Sequence, residues 1–134
     1  MDETWAHEWI ESFSSAWRDG DTEVYVELFT EDAVCLFDPY GPAVVGRDAL
    51  REHCRATVMP NPVQELRWGK VLVIGSHVAA EWWATMKHQG KDVTLPGAAI
   101  MHFGGGGRCD RLRWYPVVQD GVHEPPAEWQ EATS

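Results

Sequence analysis

Ala33-Val34-Cys35-Leu36-Phe37-Asp38-Pro39-Tyr40-Gly41-Pro42 is the stretch on which the fold turns. An uninterrupted apolar run of this length reads as a buried strand. The prolines and glycine that follow read as a loop running to about Gly46. A carboxylate closing such a run is unusual, because acids are rarely left inside a protein unless paired or functional. Burial raises a carboxyl pKa and suits the group to general-base work near neutral pH. Asp38 is therefore the first candidate catalytic residue. Tyr40, just beyond it, is either a hydroxyl donor at a cavity mouth or an exposed turn tyrosine.

Upstream of this strand, Trp5, Trp9, Phe13 and Trp17 fall on one face of a helix over residues 5–19. Asp2 or Thr4 is the expected cap and Gly20 the stop. Asp21 reads as the N-cap of a shorter second helix that presents Val24, Tyr25, Leu28 and Phe29 on one side. Downstream, a third helix is expected over residues 47–57, with Leu50, His53, Cys54 and Thr57 as its inward stripe, stopped by Met59-Pro60-Asn61-Pro62. The remainder reads as an antiparallel meander. Its strands cover residues 71–74, 78–88, a run ending at Phe103, and 108–118, with turn signals at Gly75-Ser76 and Gln89-Gly90. Gly104 to Gly107 lack the Lys-Ser/Thr of a phosphate loop. Residues 120–134 form a polar tail.

This order predicts a single α+β domain over residues 1–134, with a core at 1–119 and an irregular C-terminal tail at 120–134. A curved antiparallel sheet wraps around three N-terminal helices to leave a cone-shaped interior. A chain of 134 residues buries roughly two-thirds of its unfolded surface. The net charge of −10 argues against a nucleic-acid partner and against an anionic membrane. No apolar run is long enough to span a bilayer, and Met1-Asp2-Glu3 has no signal-peptide pattern, so a cytoplasmic location is expected. Cys35, Cys54 and Cys109 are odd in number and widely spaced, as reduced buried thiols would be. The scattered histidines predict no metal site, and no serine stands in a nucleophile elbow. Eight tryptophans suit either the lining of a cavity for a ring-shaped ligand or core and interface packing.

Four segments resemble the nuclear transport factor 2-like superfamily, in its SnoaL-like and ketosteroid-isomerase-like branches. They are Ala16-Trp17-Arg18-Asp19-Gly20-Asp21, Leu28-Phe29-Thr30-Glu31-Asp32-Ala33-Val34, Asp38-Pro39, and Gly46-Arg47-Asp48-Ala49-Leu50-Arg51. The resemblance runs from about Trp9 to Val118. It implies the cone fold, no cofactor, an apolar small-molecule ligand and a homodimer through the outer sheet face. It also places Asp38 where ketosteroid isomerases carry their general base. In those enzymes a tyrosine and a protonated aspartic acid hold the enolate oxygen. Phe13 and Met101 stand at the matching positions, so steroid isomerisation by that mechanism is not expected.

Other side chains could supply different chemistry. His53, which the resemblance also turns toward the cavity, would donate to a substrate oxygen or share a proton with Asp38; alternatively it is a core histidine bonded to a backbone carbonyl. Alternation turns Val78, Ala80, Trp82, Ala84 and Met86 inward and Glu81, Trp83, Thr85 and Lys87 outward. Trp82 is then the stacking wall and Trp83 an interface residue, while Glu81 pairs with Arg111 or Arg113. Asp110, Leu112, Trp114 and Pro116 share the inward parity, and His102 faces outward unless a bulge at Pro96-Gly97 reverses it. The expected ligand-binding set is Phe13, Trp17, Trp82, Met86, Met101, Phe103 and Trp114, with Asp38, His53 and Tyr40 catalytic. The expected activity is isomerisation, cyclisation or dehydration of an apolar cyclic or polyketide-like molecule. The rival expectation is a non-catalytic binding or dimerisation module.

Overall fold

Because Trp9, Phe13 and Trp17 recur on one face, the first helix has an apolar side that must be covered, and the sheet covers it. The structure, a computed structural model, describes residues 3–58, 60–129 and 131. Helix α1 spans Thr4–Asp19 and ends on Gly20, whose φ of 69° is the left-handed stop that glycine adopts without strain. Thr4 is its first residue rather than its cap. Glu3 holds the cap position without a side-chain bond, and Asp2 lies outside the described residues. Helix α2, Thr22–Glu27, is capped as expected: Asp21 Oδ1 accepts from the Val24 N–H at 3.1 Å.

Strand β1, Phe29–Leu36, is followed by the short β2, Val44–Val45, and by helix α3, Gly46–His53. Arg47 ties α3 to β1 by donating twice to the Phe29 carbonyl, at 3.0 and 2.8 Å. The third helix does not run on regularly to Thr57 as predicted. Cys54–Val58 widen into a π-helical turn, a distortion often found at functional sites. Met59, part of the predicted stop, lies outside the described residues.

Four long strands follow: β3 Val63–Ile74, β4 His77–His88, β5 Lys91–Phe103 and β6 Cys109–Pro116, with a short β7 at Gln119–Asp120. The order across the sheet is β2-β1-β6-β5-β4-β3, with β7 paired to β5. The β4–β5 register runs unbroken from His77↔His102 to His88↔Lys91, so Pro96-Gly97 carries no bulge and His102 faces outward. A register shift between Trp68 and Val71 interrupts β3 against β4, and such shifts bend and twist a sheet. The predicted all-antiparallel sheet needs one correction: β1 pairs β6 in parallel, so the sheet is mixed. Helices and curved sheet together make the α+β cone.

The core is almost wholly apolar, with Trp82, Tyr25, Phe29 and Met101 among its largest fully buried side chains. Ser14 is the polar exception on α1. Its hydroxyl donates to the Ile10 carbonyl at 2.8 Å and accepts from Trp68 Nε1 at 2.8 Å, pinning α1 to β3. The tail is not free of the sheet. Thr94 Oγ1 donates to the Gly121 carbonyl at 2.7 Å, Trp83 Nε1 donates to the His123 carbonyl at 2.9 Å, and Arg67 pairs with Glu124 and Glu131. Trp83, expected at an interface, is thus engaged by the chain's own tail. Glu81 forms no salt bridge among the described residues, and the pairing expected with Arg111 or Arg113 is absent.

Candidate functional site

The inward side chains of α1, α2 and the sheet do not fill the cone. They leave a cavity of about 330 Å³, within the range of small-ligand sites. Its aromatic walls are Phe13, Trp17, Tyr25, Phe37, Trp82 and Trp114. Trp82 stacks on Trp114 with ring centres 4.2 Å apart and planes 18° from parallel. Phe13 packs against both Tyr25, at 5.2 Å, and Trp114, at 5.6 Å. Met86, Val93, Leu95, Pro116 and Val118 continue the apolar lining.

Trp82 reaches this position because Gly97 lies opposite it on β5. A Cβ on Gly97 would stand 2.4 Å from Trp82 Cζ2 and 2.8 Å from the Tyr115 carbonyl oxygen. The Trp82 indole nitrogen is buried without an acceptor among the described residues, so the ring contributes a flat wall rather than a bonded donor.

Five polar residues share the lining: Tyr25, His53, Thr57, Asn61 and His88. His53, the last residue of α3, is half-buried, and its ring lies flat on Phe37, 4.1 Å between centres and 11° between planes. Removal from water lowers its pKa from the ordinary 6.5, because desolvation disfavours the imidazolium. His53 is therefore a neutral imidazole at pH 7. The fully buried Tyr25 has its pKa pushed well above the usual 10, first by burial, so its phenol stays a protonated donor. At the rim, Asn61 Oδ1 lies 3.1 Å from His88 Nδ1, Asn61 Nδ2 donates to the Thr57 carbonyl at 2.8 Å, and Trp17 Nε1 donates to the Asn61 carbonyl at 3.4 Å.

Of the expected site residues, Phe13, Trp17, His53, Trp82, Met86 and Trp114 come together on the cavity. Asp38 does not. Strand β1 ends at Leu36 and the chain turns at once, so Phe37 supplies its ring to the lining while Asp38 is left exposed. Its Oδ1 accepts from the Tyr40 N–H at 2.9 Å, closing its own turn. Tyr40 is 96% exposed and is likewise off the cavity. Met101 and Phe103 are buried but belong to the core beside the cavity. Met101 pairs with Val78 and Leu112, and Phe103 packs edge-on to Trp5 and Trp9 at 4.9 and 5.3 Å.

Asp110 is not inward either. A register shift sets His102 opposite Arg111 and Phe103 opposite Cys109, leaving Asp110 as the extra residue of a bulge. Its carboxylate meets His102 Nδ1 at 2.6 Å on the outer face. The three thiols are free and buried, and burial pushes Cys35 up to about 12, which leaves it a poor nucleophile.

The sequence of the SnoaL-like domain family matches this chain over residues 10–111. The chain belongs to the SnoaL-like family. None of the curated proteins matches this SnoaL-like domain in sequence. Among solved structures it resembles SalBIII, described as an epoxide hydrolase/cyclase-like enzyme in pyran ring formation in the polyether salinomycin. The TM-score is 0.79 at 22% identity, over 90% of this chain and 98% of that one. A putative isomerase from Bacillus subtilis superposes with a TM-score of 0.76 at 21% identity, over 87% and 90% of the two chains. The Δ5-3-ketosteroid isomerase from Mycobacterium sp. gives 0.71 at 17% identity, over 84% and 96%. At these identities the likeness shows the fold, and this SnoaL-like domain carries its own set of cavity side chains. Neutral His53 can accept a proton, and the Tyr25 phenol can donate a hydrogen bond to an oxygen.

Proposed function

We propose that this SnoaL-like domain is an enzyme that performs general acid–base chemistry, by its own side chains, on a neutral, apolar, ring-shaped small molecule bound in the cone. The observation that carries the proposal is the pairing of aromatic walls with a desolvated histidine, His53, stacked on Phe37 and lining the cavity. No Asp, Glu, Lys or Arg lines it among the described residues, which favours an uncharged ligand. His53 takes a proton from a carbon next to a carbonyl, and the Tyr25 phenol stabilises the charge that develops on the carbonyl oxygen. SalBIII, described in pyran ring formation, and the Δ5-3-ketosteroid isomerase have the same fold. That likeness supports the substrate class only by analogy.

Nitrobenzisoxazole tests the base without knowledge of the natural substrate. A base removes its ring-carbon proton, the ring N–O bond breaks to leave a nitrile, and the oxygen departs as a coloured phenolate. The protein is expected to accelerate this reaction. His53→Gln should lower the rate by about two orders of magnitude, the usual worth of a positioned base. An unchanged rate in His53→Gln refutes the proposal. Retained binding of flat apolar ligands alongside that result would point to a non-catalytic binding module.

A further inference from the structure

At the cavity rim a hydrogen-bond chain fixes the tautomer of a second histidine. Asn61 Nδ2 donates to the Thr57 carbonyl at 2.8 Å. That carbonyl only accepts, so the opposite amide orientation would set two acceptors face to face. Asn61 Oδ1 is therefore the atom that lies 3.1 Å from His88 Nδ1. An amide oxygen only accepts too, so His88 Nδ1 carries the hydrogen and the lone pair of the neutral ring sits on Nε2. Asn61 is itself held in place: its N–H donates to the Val58 carbonyl at 3.2 Å, and its carbonyl accepts from Trp17 Nε1. His88, the last residue of β4, is anchored by pairing with Lys91 across the Gln89-Gly90 turn.

We propose that His88 is a second proton-transfer residue of the cavity, acting as the acid that complements His53, and that Asn61 is its positioning residue. The proposal rests on the acid–base function proposed above. When protonated on both nitrogens, His88 gives its Nε2 proton to the bound molecule. It is left as the Nδ1–H tautomer that Asn61 already holds, so the ring need not turn between cycles. A carbonyl compound loses one proton to His53 and the C–H electron pair enters the enolate. The proton from His88 then adds to a different carbon of the conjugated enolate. The substrate gains what it lost, so the reaction class is an isomerisation that shifts a double bond. His88 is exposed and His53 half-buried, so exchange with solvent restores both rings.

Two measurements test this. In imidazole nitrogen NMR of the neutral protein, His88 is expected as the Nδ1–H tautomer, and Asn61→Ala should return it to the Nε2–H form that free imidazole side chains favour. Exchange of the α-protons of β-tetralone in heavy water, a cycle of proton removal and return, gives the functional readout. His88→Gln should slow it by about a hundredfold, with β-tetralone affinity, followed by tryptophan fluorescence, unchanged. Asn61→Ala should slow it too, in step with its change of the His88 tautomer. An Nε2–H tautomer in the unmodified protein, or wild-type exchange in His88→Gln, overturns the proposal. Loss of exchange in His53→Gln beside a full rate in His88→Gln overturns the role of His88 alone. A full rate in His53→Gln overturns the parent function and this proposal with it.

Discussion

Gly97→Ala adds one methyl group directly against Trp82, one wall of the cavity. The new Cβ would lie 2.4 Å from Trp82 Cζ2, 2.6 Å from Trp82 Cε2 and 2.8 Å from the Tyr115 carbonyl oxygen. All three distances are well inside van der Waals contact, and neither side can yield easily. The oxygen belongs to the backbone of β6, and Trp82 is fully buried and stacked on Trp114 at 4.2 Å. Overpacking of this kind costs about 2–3 kcal/mol. For a domain of this size that corresponds to a fall in melting temperature of about 7–10 °C. Thermal unfolding followed by circular dichroism measures it, with Gly105→Ala as control, since nothing stands within 4 Å of a Cβ there. Trp82→Leu should remove much of the penalty when combined with Gly97→Ala, so the double-mutant cycle should show strong coupling. A Gly97→Ala melting temperature within about 1 °C of the control, far below the expected shift, would refute the packing argument.

Three further outcomes follow from the structure. Ser14→Ala deprives the buried Trp68 indole N–H of its acceptor and should cost about 1–3 kcal/mol in chemical denaturation. Asp38→Asn should change neither nitrobenzisoxazole turnover nor the melting temperature, because Asp38 is exposed and asparagine can still accept from the Tyr40 N–H; a large loss of turnover would restore Asp38 as the base. The pKa of His53 is lowered in the folded protein from 6.5, so below about 6.5 the unfolded chain binds a proton that the native state resists. Stability should therefore fall as pH drops through that value, and His53→Gln should flatten the dependence in denaturant melts at several pH values.

Local patterning carried much of the fold into view. Residues 77–87 of β4 alternate without a break, so the inward set, with Trp82 and Met86 on the cavity, follows from parity alone. Parity failed in β6 because one inserted residue at Asp110 swings that carboxylate outward, and no sequence signal marks the insertion. Asp38 misled for a related reason. The apolar run is buried on one side only, with Ala33 and Cys35 inside and Val34 exposed, and β1 ends before the acid. The rim pair was out of reach for a third reason: Asn61 and His88 meet through the tertiary course of the chain, and neither residue stands out where it lies. Tyr25 could have been found, because its place on the apolar face of α2 was visible and only its phenol was overlooked.

The parallel pairing of β1 with β6 also has a cost in time. Some 80 positions along the chain separate the partners Phe29 and Cys109, so the pairing closes a long loop and favours slow folding. During synthesis the Ala33–Phe37 run emerges on the order of ten seconds before the strand that will shelter it. In that interval β2 is its one near strand partner among the described residues. The apolar segment that anchors the finished cone is thus the segment most in need of protection while the chain is being made.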